Sequence, residues 1–129
     1  MKRIVFFVVA LLIGMPLLPA QDIPPEVISS FKKGEPQLLN NYLGDKAELI
    51  IQDRTLADTK QLVINMLTAF YTDNPVTHFT VNHQGKRDES SFIIGTLGTS
   101  KGNYRVNCFF KKTKNLYVIH QIRIDKTNE

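Results

Sequence analysis

The chain has 129 residues, a formal net charge of +4 and one cysteine. That length fits one small domain able to bury its own core. A single cysteine excludes an internal disulfide, so stability must come from that core. The charge is uneven: residues 21–75 hold five Lys/Arg against eight Asp/Glu, and residues 76–129 hold nine against four. A basic half can signal nucleic acid or anionic lipid. Here the arginines do not alternate with exposed aromatics, so nucleic-acid binding is not expected and the contrast reads as two halves of one fold.

The opening MKRIVFFVVALLIGMPLLPA has the three-part layout of a secretory signal peptide. Lys2 and Arg3 lead, Ile4–Ile13 is apolar throughout, and Gly14, Pro16 and Pro19 loosen the chain before Ala20. The expectation is cleavage after Ala20 and export to the periplasm or beyond, with membrane contact only during export. Residues 21–129 then form a single domain.

In DIPPEVISSFKKG, Pro24 and Pro25 suit a first helical turn, where a missing N–H costs nothing. Val27, Ile28 and Phe31 fall on one face, Lys32 and Lys33 complement the helix dipole, and Gly34 can take the left-handed stop. In EPQLLNNYLG, Pro36 starts a second short helix with a stripe of Leu38, Leu39, Tyr42 and Leu43. Helices this short must be buried on something else. Ala47–Gln52 reads as a strand. A longer helix comes next, with Asp58 and Gln61 as a capping box. Its wide apolar face is Leu62, Met66 and Phe70 flanked by Val63, Leu67 and Tyr71, and Pro75 ends it.

From Thr77 the apolar period becomes two. Four strands are expected over residues 77–83, 91–98, 104–110 and 116–124, joined by short polar turns into an antiparallel meander. Alternation puts Phe79, Val81 and His83 on one face of the first of these strands. In the last, it puts Val118, His120, Ile122 and Ile124 opposite Tyr117, Ile119, Gln121 and Arg123. The order helix, helix, strand, helix, four strands makes an α+β domain. Leu97, Phe109, Tyr117 and Ile119 are expected on the face away from the helices, an apolar surface suited to a partner or a second copy.

The residues DTKQLVINMLTAFY, HFTVNHQG, IGTLGTSKGNYRVNCFFKK and IHQIRID resemble a family of small exported proteins from Bacteroidetes-type bacteria. That family lies within the nuclear transport factor 2-like (cystatin-like) superfamily. The likeness runs from the first helix to Asp125. It implies a cone of three helices in a strongly curved, mostly antiparallel sheet, and an exported location. It implies no activity. Members of the wider superfamily such as ketosteroid isomerase and scytalone dehydratase use the open cone for catalysis, while others bind ligands or dimerise. An isomerase-like site needs a carboxylate base and donors for an enolate. No such motif matches here residue by residue, Asp53, Tyr42 and Tyr71 included.

Cys108, in VNCFF, reads as a buried apolar residue. His83, two residues before Gly85, reads as a strand-end residue. His83, Cys108 and His120 share a face by alternation, but they sit on three different strands with no local ligand pair, which argues against zinc. Lys86, Arg87, Asp88 and Glu89 form one charged hairpin tip, and Lys111, Lys112 and Lys114 another. No Gly-rich phosphate loop, catalytic triad order or cofactor motif is present. The reading is a non-catalytic binding or interaction module. Its cone is lined by Phe31, Tyr42, Phe70, His83 and His120 and would take a small apolar or amphipathic ligand. Otherwise its sheet face at Leu97, Phe109, Tyr117 and Ile119 would meet a protein partner or a second copy. The alternative is an acid–base enzyme of isomerase or dehydratase type working in the cone.

Overall fold

The computed structural model describes residues 23–114 and 116–127. The signal-peptide expectation for Met1–Ala20 lies outside the described residues. Helix α1 spans Pro25–Lys33, with Pro24 extended ahead of it and its backbone oxygen accepting from the Val27 N–H at 3.0 Å. Gly34 closes it at φ +65°, a conformation that favours glycine. The Ser30 hydroxyl, fully buried, donates to the Glu35 carbonyl at 2.8 Å and ties the helix end to the next segment.

That segment does not form the second helix expected of it. Only one 3₁₀ turn forms, over Pro36–Leu39, and strand β1 begins at Leu43 and runs to Ile51. The Tyr42 carbonyl accepts from the Ile119 N–H at 2.7 Å, and Leu43 pairs with Ile119. So short a helix cannot outcompete sheet bonds for the same backbone groups. The apolar stripe is still buried, with Leu39 and Leu43 in the core.

A hairpin then returns as β2, Arg54–Ala57, through Gln52 and Asp53, both at positive φ. Helix α2 spans Lys60–Asp73. Its cap is Thr59, not Asp58: the Thr59 hydroxyl accepts from the Leu62 N–H at 3.3 Å. Its buried face is Val63, Ile64, Leu67 and Tyr71, so the apolar stripe is rotated and Leu62 is 44% exposed. Met66 and Phe70 pack at the edge of the core.

Strands β3 (Val76–Arg87), β4 (Ser90–Thr99), β5 (Gly102–Thr113) and β6 (Leu116–Lys126) complete the sheet. The order is β2-β1-β6-β5-β4-β3, and every neighbouring pair is antiparallel except β1 and β6. The meander is as expected. The third helix is absent from the described residues, and two helices with one 3₁₀ turn lie against a six-stranded sheet. Across the inner face run rows set by register. One is Ile93, Cys108, Ile122, and the next is Gly95, Val106, Ile124. The helices cover them with Val27, Phe31, Val63, Ile64, Leu67 and Tyr71, all in one core cluster. Phe31 stacks on Phe79 with ring centroids 5.1 Å apart. That stacking depends on Gly95, since a Cβ there would lie 2.5 Å from the Phe79 ring.

Two irregularities decide which face a residue reaches. In β3 the register slips between Val81 and His83: Val81 pairs with Gly95, and His83 with Ile94. Between β5 and β6, Phe109 pairs with Gln121 but Phe110 pairs with Ile119, which leaves His120 as the extra residue. Each bulge bends its strand and inverts the alternation beyond it.

Candidate functional site

The bulges redistribute the residues that alternation had grouped. Gly95 is an inner-face residue and Ile94 an outer one, so His83 emerges on the outer face, exposed and opposite Phe79 and Val81. His120 is also exposed, with its ring 6.4 Å from the Phe109 ring. Cys108 faces inward at 0% exposure. The three groups that alternation placed together therefore do not converge, and the two histidines do not line the cone.

The other cone residues divide as well. Phe31 is fully buried and belongs to the core cluster. Phe70 is half-buried, edge-on to the Tyr71 and Tyr104 rings at 5.7 Å and 5.1 Å. The Tyr104 hydroxyl donates to Asn74 Oδ1 at 3.1 Å, which fixes that corner. Tyr42 sits at the margin, and its hydroxyl donates to Glu26 Oε1 at 3.0 Å. That bond, with the Glu26 charge, holds the phenol above its ordinary pKa. Phe31, Phe79, Leu67, Tyr71, Cys108 and Phe110 occupy the interior between α1, α2 and the sheet.

The expected sheet surface is corrected at Leu97, Ile119 and Tyr117. Leu97 and Ile119 are at 0% exposure in the core. Leu97 pairs with Phe79 and with Tyr104, both inner-face residues, and the bulge at His120 turns Ile119 inward. Tyr117, two residues from Ile119, shares that inner face and receives the Lys86 ammonium 5.7 Å from its ring centre. Of the four, Phe109 alone lies on the outer face, half-buried beside Phe92, its partner in register.

Phe109 belongs to a hollow of about 300 Å³ lined by Arg87, Ser90, Phe92, Phe109 and His120 among others. Strand geometry assembles it. Gly85 pairs with Phe92, and a Cβ at Gly85 would lie 2.5 Å from the Phe92 ring, so the glycine lets that ring lie flat across the sheet. Phe109 comes next in the same row. The bulge then brings His120 up to the edge of Phe109. Arg87 and Ser90 close the hairpin end as a cross-strand pair, and Lys111 pairs with Ser90 on the next strand. The result is an aromatic floor with a cationic rim.

The charges around the hollow are unevenly compensated. Arg123 is tied to Asp53 and, at 3.1 Å, to Asp125, and Gln121 donates to Glu48 at 3.1 Å. Among the described residues, neither Arg87 nor Lys111 has an ion-pair partner. The His120 pKa lies below that of free imidazole, chiefly through burial and then through the Lys111 charge, with Glu48 pulling the other way. A second hollow of about 190 Å³, lined by Thr55, Leu56, Ala57, Asp58 and Leu62, carries no cation.

Sequence reasoning did not connect Arg87 and Phe92 to a site. Arg87 looks like a solvated hairpin residue, and Phe92 is one of three consecutive apolar residues whose phase only the register resolves. The signal was present in the Gly85–Phe92 and Phe92–Phe109 pairs, but reading it needed the bulge positions.

Known structures share this architecture. A DUF4783 family protein from Bacteroides ovatus ATCC 8483 is 57% identical, with a TM-score of 0.81 over 84% of this chain and 99% of its own. One from Bacteroides uniformis ATCC 8492 is 56% identical, with a TM-score of 0.78 over 83% and 99%. An NTF2-like protein of unknown function from Shewanella baltica OS155 is 6% identical, with a TM-score of 0.68 over 90% and 99%, a likeness of fold alone. No functionally curated protein matches. The family described as Domain of unknown function (DUF4783) matches residues 24–125, and with the curved NTF2-like sheet and these relatives, the chain belongs to that family.

Proposed function

We propose that the protein is a non-catalytic binding module, exported through its N-terminal apolar segment, that binds through the outer face of its sheet. The observation that carries this reading is the hollow of about 300 Å³ with Phe92 and Phe109 as its floor and Arg87 and His120 on its rim. A concave, mostly apolar surface with a few convergent polar groups is the usual form of a small-ligand site. The interior of the cone offers less: the candidate acid–base groups do not meet there, and large side chains fill the space between helices and sheet. An isomerase-type base needs a carboxylate in an apolar cavity. Asp53, the carboxylate that follows the first strand, is instead exposed and paired with Arg123.

The test is a screen of small neutral and charged aromatic fragments by amide chemical-shift mapping on the purified protein. Shifts clustered at Phe92, Phe109 and His120 are expected. Shifts clustered on Phe31, Leu67 and Phe79 would instead place binding inside the cone and overturn the reading.

A further inference from the structure

The hollow on the outer sheet face combines two kinds of surface. Its floor is two aromatic rings in register on neighbouring strands, Phe92 and Phe109. Its rim carries the Arg87 guanidinium, the Ser90 hydroxyl and the His120 imidazole, and Lys111 stands beside Ser90 in register. All of these groups can donate hydrogen bonds, and two are permanent cations. Two carboxylates on the neighbouring strands β1 and β6 are engaged. Glu48 accepts from Gln121, and Asp125 accepts from Arg123. Asp88 and Glu89 form the exposed hairpin tip between Arg87 and Ser90, where the Glu89 backbone oxygen accepts from the Lys112 N–H at 2.7 Å.

We propose that this hollow takes a small amphiphilic carboxylate, its ring or short chain lying on Phe92 and Phe109 and its carboxylate held at the rim by Arg87, Lys111 and His120. The proposal rests on the outer-face reading and adds the ligand's chemical class. Charge decides that class. An uncharged ligand would forgo charge-assisted bonds to Arg87 and Lys111, and a cationic one would meet like charge at both. A carboxylate matches the planar fork of Arg87 and gains charge-assisted bonds from it. The volume, at the lower end of the roughly 300–1,000 Å³ usual for ligand clefts, suits one ring or a short chain and not a long lipid.

His120 makes the binding report on itself. Burial and Lys111 disfavour its protonated form, while Glu48 favours it. A bound carboxylate adds a second favourable charge, so ligand and proton bind together and affinity rises as pH falls through the imidazole pKa.

The experiment titrates hexanoate, hexanol and hexylamine into isotope-labelled protein. It follows the Phe92 and Phe109 amides and the His120 ring protons, with amide dispersion confirming the fold of each variant. Hexanoate is expected to shift these signals and to move the His120 titration to higher pH, with hexylamine about tenfold weaker or worse. Arg87→Gln should weaken hexanoate about tenfold and leave hexanol unchanged, and Lys111→Gln should give a smaller loss in the same direction. Equal binding of hexanol and hexanoate, unaffected by R87Q, would overturn the carboxylate class and leave the outer-face reading standing. If none of the probes shifts signals at this hollow, both fall.

Discussion

Gly95→Ala tests the packing on which the whole sheet depends. A Cβ at residue 95 would sit 2.5 Å from Phe79 Cζ, 2.7 Å from Cε1 and 2.7 Å from the Thr80 carbonyl oxygen. Ordinary contacts lie about an ångström further out. The Phe79 ring cannot retreat freely, because it stacks on fully buried Phe31 at 5.1 Å. The carbonyl belongs to the neighbouring strand and is fixed by pairing. Overpacking of a filled core costs about 1–3 kcal/mol, and confinement from two sides puts this case near the top. Removing a glycine returns about 0.4–1 kcal/mol through the unfolded chain. The expected net loss is about 2 kcal/mol, or a fall in Tm of roughly 8–16 °C for a domain of this size. Circular-dichroism melts with parallel urea titrations measure it. Gly44→Ala is the control, since its Cβ would come no closer than 3.4 Å, to the Ile119 oxygen, and it should not lower Tm. In a Phe79→Leu background the Gly95→Ala cost should shrink, because the ring part of the clash is gone. A Gly95→Ala protein melting within roughly 2 °C of the parent would refute the reasoning.

Two further outcomes concern caps and burial. Thr59→Ala should cost about 1 kcal/mol in urea unfolding, and Asp58→Ala about 0.3 kcal/mol through the helix dipole alone; the reverse order would remove Thr59 as the cap. Cys108, at 0% exposure with its thiol pKa raised by burial, should resist a disulfide reagent in native buffer and react fully in urea. Folding keeps that thiol protonated, so stability should fall as pH rises past the ordinary thiol pKa of about 8.5. Cys108→Ala should flatten the first part of that fall. Tyr71, whose phenol is likewise raised by burial, governs the region above about 10. Rapid native labelling of Cys108 would contradict its placement.

Legibility in the sequence tracked the range of the signals. The end of helix α1 is readable to the residue and its start to within one, because Pro25, Lys32, Lys33 and Gly34 each act locally. The existence of α2 was readable too, but two overlapping stripes and two adjacent cap formers, Asp58 and Thr59, left its phase open until the sheet chose. Strand β2 escaped because Gln52 and Asp53 take positive φ without the glycine that advertises such a turn. The candidate site was hidden for a sharper reason. One extra residue at a bulge inverts every side chain beyond it, and nothing local marks the slip after Val81 or the unpaired His120. That moved His83 and His120 outward and Ile119 inward. Phe109 was placed on its correct face, but its companions Phe92 and Arg87 came from the register.

The single parallel pairing in the sheet has a kinetic consequence. β1 joins the meander only through β6, and the Glu48–Gln121 bond that spans this join links residues 73 apart in sequence. Pairing over such a distance closes late and slows folding. Until Leu116–Lys126 is in place, β1 and β5 both present bare backbone edges to any other chain nearby. A molecule interrupted before Leu116 thus carries two adhesive margins, and β6 is the strand that removes both.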